Sequence, residues 1–228
     1  MKKVINYFTK FEIGLWLTSV LLIIVSFCIF DKENYLTFVA SIIGATFLIF
    51  NAKGNPIGQF LTIVFSILYG IISYSFSYYG EMITYLGMTM PMALFALISW
   101  LKNPYEKGKA EVKVNKLSKK EIVFMFVLTA IVTALFYYIL KYFNTANIVP
   151  STISVTTSFL AVYLTFRRSP YFALAYAMND LVLIVLWVLA SITEISYLSV
   201  VICFAVFFVN DMYGFINWLK MEKKQNNM

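Results

Sequence analysis

Residues 171–218 read YFALAYAMNDLVLIVLWVLASITEISYLSVVICFAVFFVNDMYGFINW. Two apolar runs of helix length lie in this stretch, and each carries an Asn-Asp pair, Asn179-Asp180 and Asn210-Asp211. A tryptophan follows each aspartate seven residues on, Trp187 and Trp218. Seven residues make two helical turns, so each aspartate shares a helix face with its tryptophan. A carboxylate in hydrocarbon costs roughly 2.5–3.5 kcal/mol on insertion scales, so both are expected to face a bundle interior or a wet cavity.

Composition agrees with helices in a bilayer. Of the 228 residues 61% are hydrophobic, 18% aromatic and only 13% charged. A soluble domain cannot hide that much apolar surface, so the class is an all-α polytopic membrane protein. Histidine is absent, which removes imidazole as metal ligand, general base or proton carrier. Cys28 and Cys203 sit inside apolar segments and read as small buried residues, not as a disulfide or metal site. No metal and no cofactor is expected.

Eight spans are predicted, at about 12–30, 35–50, 57–77, 82–101, 122–141, 149–166, 170–191 and 197–219, each near the length a bilayer requires. No small-x-small cleavage site follows the first, so it is read as a retained helix. The formal charge of +7 follows from topology and not from a nucleic-acid surface. Lys2, Lys3 and Lys10, Lys53, the seven lysines between 102 and 120, Arg167 and Arg168, and Lys220, Lys223 and Lys224 all fall on alternate connections. That split places both termini in the cytoplasm of a multi-pass protein of the cell membrane. Residues 102–121 read as a cytoplasmic linker resting on anionic lipid.

An internal repeat is visible in the aromatics. Tyr69, Tyr79 and Trp100 are matched 118 positions on by Trp187, Tyr197 and Trp218. Upstream, Lys53-Gly54-Asn55-Pro56 resembles Arg167-Arg168-Ser169-Pro170. Both triplets start on the same side, so the plan is two parallel three-helix repeats joined by a linking helix, 3+1+3, behind an extra N-terminal helix. The expected division is an extra helix in 1–34, a first repeat in 35–101, a basic linker and linking helix in 102–148, a second repeat in 149–220 and a tail in 221–228.

Asn179-Asp180 through Trp187, and Asn210-Asp211-x-Tyr213-Gly214-Phe215-x-Asn217-Trp218, resemble the last two helices of PnuC-type nicotinamide riboside transporters. Gly58-Gln59, Phe65-Ser66, Tyr69-Gly70, Tyr79-Gly80-Glu81 and Pro91 to Trp100 extend the resemblance over residues 35–220. The resemblance implies facilitated diffusion of a vitamin precursor, trapping by a cytosolic kinase, a site between the triplets, and homotrimers akin to SWEET sugar transporters. Sister branches carry thiamine, riboflavin or deoxynucleosides.

Nicotinamide riboside is a flat pyridinium cation on a ribose. It calls for aromatic faces, amides and a carboxylate. The candidate set is Gln59, Asn179 and Asn210 as amides, Tyr69, Tyr176 and Trp187 as faces, and Asp180 and Asp211 as carboxylates. Plainer readings stand beside these: a paired polar group between helices for Asp180, solvation near the cytoplasmic end for Asp211, a place in the interfacial aromatic belt for Trp187. Trp100 and Trp218 are expected in the interfacial aromatic belt, as is Asn217. Pro91 is expected to kink its helix or act as a hinge. An ion-coupled carrier is the second functional class. An intramembrane aspartyl protease is disfavoured, because the Gly-x-Gly-Asp context is missing at Asp211. A phosphorylated ligand is disfavoured because no arginine lies in the spans to receive it.

Overall fold

The computed structural model describes residues 7–75, 79–145 and 147–227. Lys2 and Lys3 and the expected end of the third span at 76–77 lie outside them. Among the described residues, eight helices are long and apolar enough to cross a membrane. They are α1 (Lys10–Phe30), α2 (Tyr35–Ala52), α3 (Pro56–Ser75), α4 (Tyr79–Lys102), α5 (Lys119–Tyr142), α6 (Ile148–Phe166), α7 (Tyr171–Ser191) and α8 (Leu198–Asn226). The last runs past its expected end at 219, and residues 221–226 are helical.

Local chemistry sets the ends. Thr9 caps α1 in a capping box with Glu12, and Ser118 caps α5 by accepting from the Glu121 N–H. The two Pro-ended turns share one geometry. Gly54 and Arg168 both adopt left-handed backbone, φ 62° and 56°. Glycine does this freely; arginine needs help. Arg168 receives it from its Nη1 donating to Ser99 Oγ (2.6 Å), its Nε donating to the Lys113 carbonyl, and its own carbonyl accepting from Asn115 N–H.

The outer surface is apolar and much of the interior is polar, the reverse of a soluble protein. Leu17, Leu21, Val25 and Ile29 of α1 and Val123, Val127 and Ile131 of α5 point outward, while Gln59, Ser66, Ser73 and Thr165 are fully buried. α2 packs on α3, α6 on α7 and α7 on α8; α8 also meets α2, and α4 meets α6. Gly44 makes the α2–α8 contact possible, since a Cβ there would lie 2.1 Å from the Phe207 ring. In α4 the turn Tyr85–Thr89 is π-helical and ends just before Pro91. Proline has no N–H to continue the ladder, and the widened turn absorbs that loss; Thr89 Oγ1 donates to the Thr84 carbonyl across it.

One end of the bundle carries both described termini and the lysine-rich connection, and we call it the basic end. Two expectations change there. Trp100 and Trp218 are not belt residues: they are 1% and 0% exposed. Each indole N–H donates to a backbone carbonyl, Trp100 to Thr165 (2.9 Å) and Trp218 to Asn51 (2.8 Å). Asn217 likewise donates inward to the Ala52 carbonyl at 2.8 Å. The connection 103–118 does not lie free on a lipid surface. Its Val112 and Asn115 N–H groups donate to the Gly54 and Arg168 carbonyls (both 3.0 Å), and Gln225 of α8 binds Glu111 and Val112.

α1 lies against α2 and α8. Its inward face is held by Glu12, 1% exposed, whose carboxylate accepts from Thr9 N–H (2.6 Å), Lys53 Nζ (3.0 Å) and Tyr213 hydroxyl (2.8 Å). Removing one partner of a buried pair leaves the other uncompensated. Glu12→Ala is therefore expected to destabilise the protein by about 3 kcal/mol, and Glu12→Gln by less. Reversible unfolding in detergent followed by tryptophan fluorescence measures both.

Candidate functional site

The helical period puts Tyr176, Asn179, Asp180 and Leu183 of α7 on one side, and that side borders a cavity of about 90 Å³. α8 contributes Asp211, Phe204 and Phe207. α6 contributes Ser154 and Ser158, and α3 Thr62 and Phe65. α4 supplies Glu81, Tyr85 and Thr89. Thr62 and Tyr176 lie toward the basic end. Glu81, and Thr145 from the connection between α5 and α6, lie toward the opposite end.

The walls differ in chemistry. On one side Phe65 forms aromatic contacts with Tyr85 (ring centroids 6.1 Å), Phe207 (6.2 Å) and Phe47 (5.3 Å). On the other, Asn179 Oδ1 accepts from Ser154 Oγ (3.0 Å) and Thr157 Oγ1 (2.8 Å). With its oxygen doubly engaged, the Asn179 amide has its N–H donors left to offer. Asp180 and Asp211, 4% and 5% exposed, both border this space. Among the described residues, Asp180 Oδ2 finds no hydrogen-bond partner. Glu81 adds a third carboxyl. Among the described residues, no lysine or arginine lines the cavity.

Four of the eight candidates border this space: Tyr176, Asn179, Asp180 and Asp211. The other four do not. Gln59 Nε2 donates to Asn51 Oδ1 (2.8 Å), tying α3 to α2. Tyr69 stands behind the wall, 4.7 Å from Tyr85 and 5.2 Å from Phe65 between ring centroids. Trp187 packs against Tyr197 at 5.3 Å, near the opposite end. Asn210 turns to α1, where its Nδ2 donates to Ser19 Oγ (2.9 Å) and to the Val206 carbonyl. Sequence reasoning misses Glu81, Tyr85 and the α6 serines. Glu81 stands at a helix start and reads as a loop charge, although Tyr85 one turn later shares its face. The serines carry no signal beyond their spacing.

Residues 34–220 match the family described as nicotinamide mononucleotide transporter. The chain belongs to that family. The match covers α2 to α8 and leaves α1 outside. The chain is similar to the nicotinamide riboside transporter PnuC of Neisseria mucosa, with 26% identity over 96% of this chain and 84% of the relative. It is also similar to the protein of the same name from Haemophilus influenzae, with 22% identity over 85% and 83% of the two chains. The fold matches a solved structure described as the vitamin B3 transporter PnuC, with TM-score 0.81 and 23% identity over 96% of this chain and 94% of that one. The family is one of membrane transporters, not enzymes.

The Ser154–Asn179–Thr157 cluster makes a local prediction. Replacing Ser154 by Ala and Thr157 by Val strips Asn179 Oδ1 of its donors, at a cost of about 1–3 kcal/mol for a buried unpaired acceptor. The loss is expected in thermal unfolding of the double variant. It should vanish in an Asn179→Leu background, which a double-mutant cycle measures.

Proposed function

We propose that this transporter carries nicotinamide riboside. The observation that carries the reading is the charge of the cavity lining: Glu81, Asp180 and Asp211, with no basic residue. A carboxyl cluster inside a bundle attracts a cation and repels an anion. The pyridinium of nicotinamide riboside is a cation with a flat face. Tyr85, Phe65 and Tyr176 can stack on it, at roughly 0.5–2 kcal/mol for a cation over an aromatic ring. The Asn179 amide and the serines of α6 suit ribose hydroxyls and a carboxamide.

The family description speaks of the mononucleotide, whereas the names of both relatives speak of the riboside. The lining favours the riboside, because the added phosphate brings up to two negative charges with no arginine or lysine to receive them. Thiamine, also an aromatic cation, is the second reading on the same observation. Riboflavin and deoxynucleosides lack the charge.

We further infer that the basic end faces the cytoplasm, on the strength of the positive-inside rule. Facilitated diffusion, trapping by a cytosolic kinase and a homotrimeric state rest on the family resemblance.

Calorimetry on purified protein tests the substrate. Nicotinamide riboside is expected to bind at least 100-fold more tightly than its mononucleotide; equal affinity would overturn the charge argument. Asp180→Asn is expected to weaken the cation more than 10-fold while changing affinity for the neutral, nearly isosteric dihydro form less than 3-fold. Equal losses for the two ligands count against the role given to Asp180.

A further inference from the structure

The cavity stops short of the basic end. Between them stands an aromatic layer of Trp100, Trp218 and Phe172, none more than 1% exposed. The two indoles are 5.4 Å apart, and Phe172 meets Trp218 at 4.9 Å and Trp100 at 6.2 Å. None of the three borders the cavity. Any solute leaving by the basic end has to displace them.

What holds this layer is arranged twice. Trp100 of α4 donates to the Thr165 carbonyl of α6, and Trp218 of α8 donates to the Asn51 carbonyl of α2. Beside the first bond, Ser99 Oγ donates to the Phe166 carbonyl (3.0 Å); beside the second, Asn217 Nδ2 donates to the Ala52 carbonyl. The two donors of one set lie 118 positions from those of the other, and the acceptors lie 114. All four bonds run between the helix set α2–α4 and the set α6–α8, and each ends on a carbonyl in the last turn of a helix. Such carbonyls take their partners from beyond the helix; those of Asn51 and Thr165 accept from the Gly54 and Arg168 N–H groups as well as from the indoles. The strap 103–118 then ties the two turns that follow, through the Gly54 and Arg168 carbonyls.

We propose that Ser99, Trp100, Asn217 and Trp218 form a paired gate at the basic end, broken as a unit when the two helix sets part. Because every bond crosses between the sets, movement of one set against the other breaks both halves together. The reading deepens the transport function above and rests on it in treating the cavity as a route.

Cysteine accessibility tests the gate without any ligand. In a Cys28→Ala, Cys203→Ala background, Thr62→Cys places a thiol at the part of the lining nearest the basic end. Trp100→Phe and Trp218→Phe keep the rings and delete the N–H donors. Applied from the basic end in oriented vesicles, an impermeant maleimide is expected to label the thiol introduced at position 62 at least 5-fold faster in either variant, and faster still in both. From the opposite end the rate should not rise. Unchanged labelling from the basic end in folded variants overturns the proposal.

Cross-linking gives an arm that leaves the indoles in place. Cysteines replacing Asn217 and Ala52, or Ser99 and Phe166, are expected to stop net uptake when joined, to preserve ligand binding, and to recover on reduction. Transport at the uncrosslinked rate through either locked pair overturns the gate. Failure of nicotinamide riboside to bind, with the labelling result as expected, overturns the substrate reading and leaves the gate standing.

Discussion

A carboxylate inside a membrane bundle has to be compensated, and this chain compensates its carboxylates in two ways. Glu12 is answered completely: an ammonium, a phenol and a backbone N–H all reach it. Nothing is left to offer a solute, and its effect is to fasten α1 to the bundle. Asp180, Asp211 and Glu81 share a cavity with no cation on its walls. Carboxyl groups left in that condition in a low-dielectric interior are poised for an external positive charge. The same functional group therefore holds the fold at one place and, in the function proposed above, makes the binding site at another. What separates the two roles is whether the protein supplies the counter-charge.

The helix ends at the basic side obey a related constraint. Last-turn carbonyls of α2 and α6 are answered partly by the backbone of the turns that follow, Gly54 and Arg168, and partly by side chains from the far helix set. A hydrogen bond that completes a helix end is therefore also a bond between moving parts. The π-helical turn before Pro91 adds compliance to α4 above Trp100, so the helix that carries one half of the closure also contains an irregular turn.

The helices are legible in the sequence because hydrophobic length and basic connections are coarse, redundant signals. The site is legible only in part, and the reason is geometric. Period 3.6 tells which residues share a face but not which neighbour that face meets. Adjacent residues point about 100° apart, so Asn210 and Asp211 diverge, one to Ser19 on α1 and the other to the cavity. Asn179 and Asp180 diverge as well, yet both border the space because α6 and α8 flank α7. Trp218 stands two turns from Asp211, but that spacing alone cannot separate an interfacial ring from a buried plug; the Asn51 carbonyl decides it, and it lies far away in sequence. Glu81 is hidden by its position at a helix start, where an acid ordinarily looks like a solvated end.

Closure and chemistry are distributed differently over the two helix sets. Counted from Pro56 and Pro170, Thr62 holds the place of Tyr176 and Phe65 the place of Asn179, and all four border the cavity. Counted back from Trp100 and Trp218, Thr89 and Phe207 also correspond and also border it. Three pairs of lining places are thus matched while their side chains are not. At the places of Asp180 and Asp211 the other set has Ser66 and Ala93. A closure that must part evenly is served by equal residues in both sets. A site for an asymmetric solute, one end a charged ring and the other a sugar, is served by unequal ones: Asn179, Asp180 and Asp211 on α7 and α8 stand where the other set has Phe65, Ser66 and Ala93. The gate keeps its residues in pairs because backbone carbonyls are the same in every helix. The lining could diverge because nothing in the backbone depends on it.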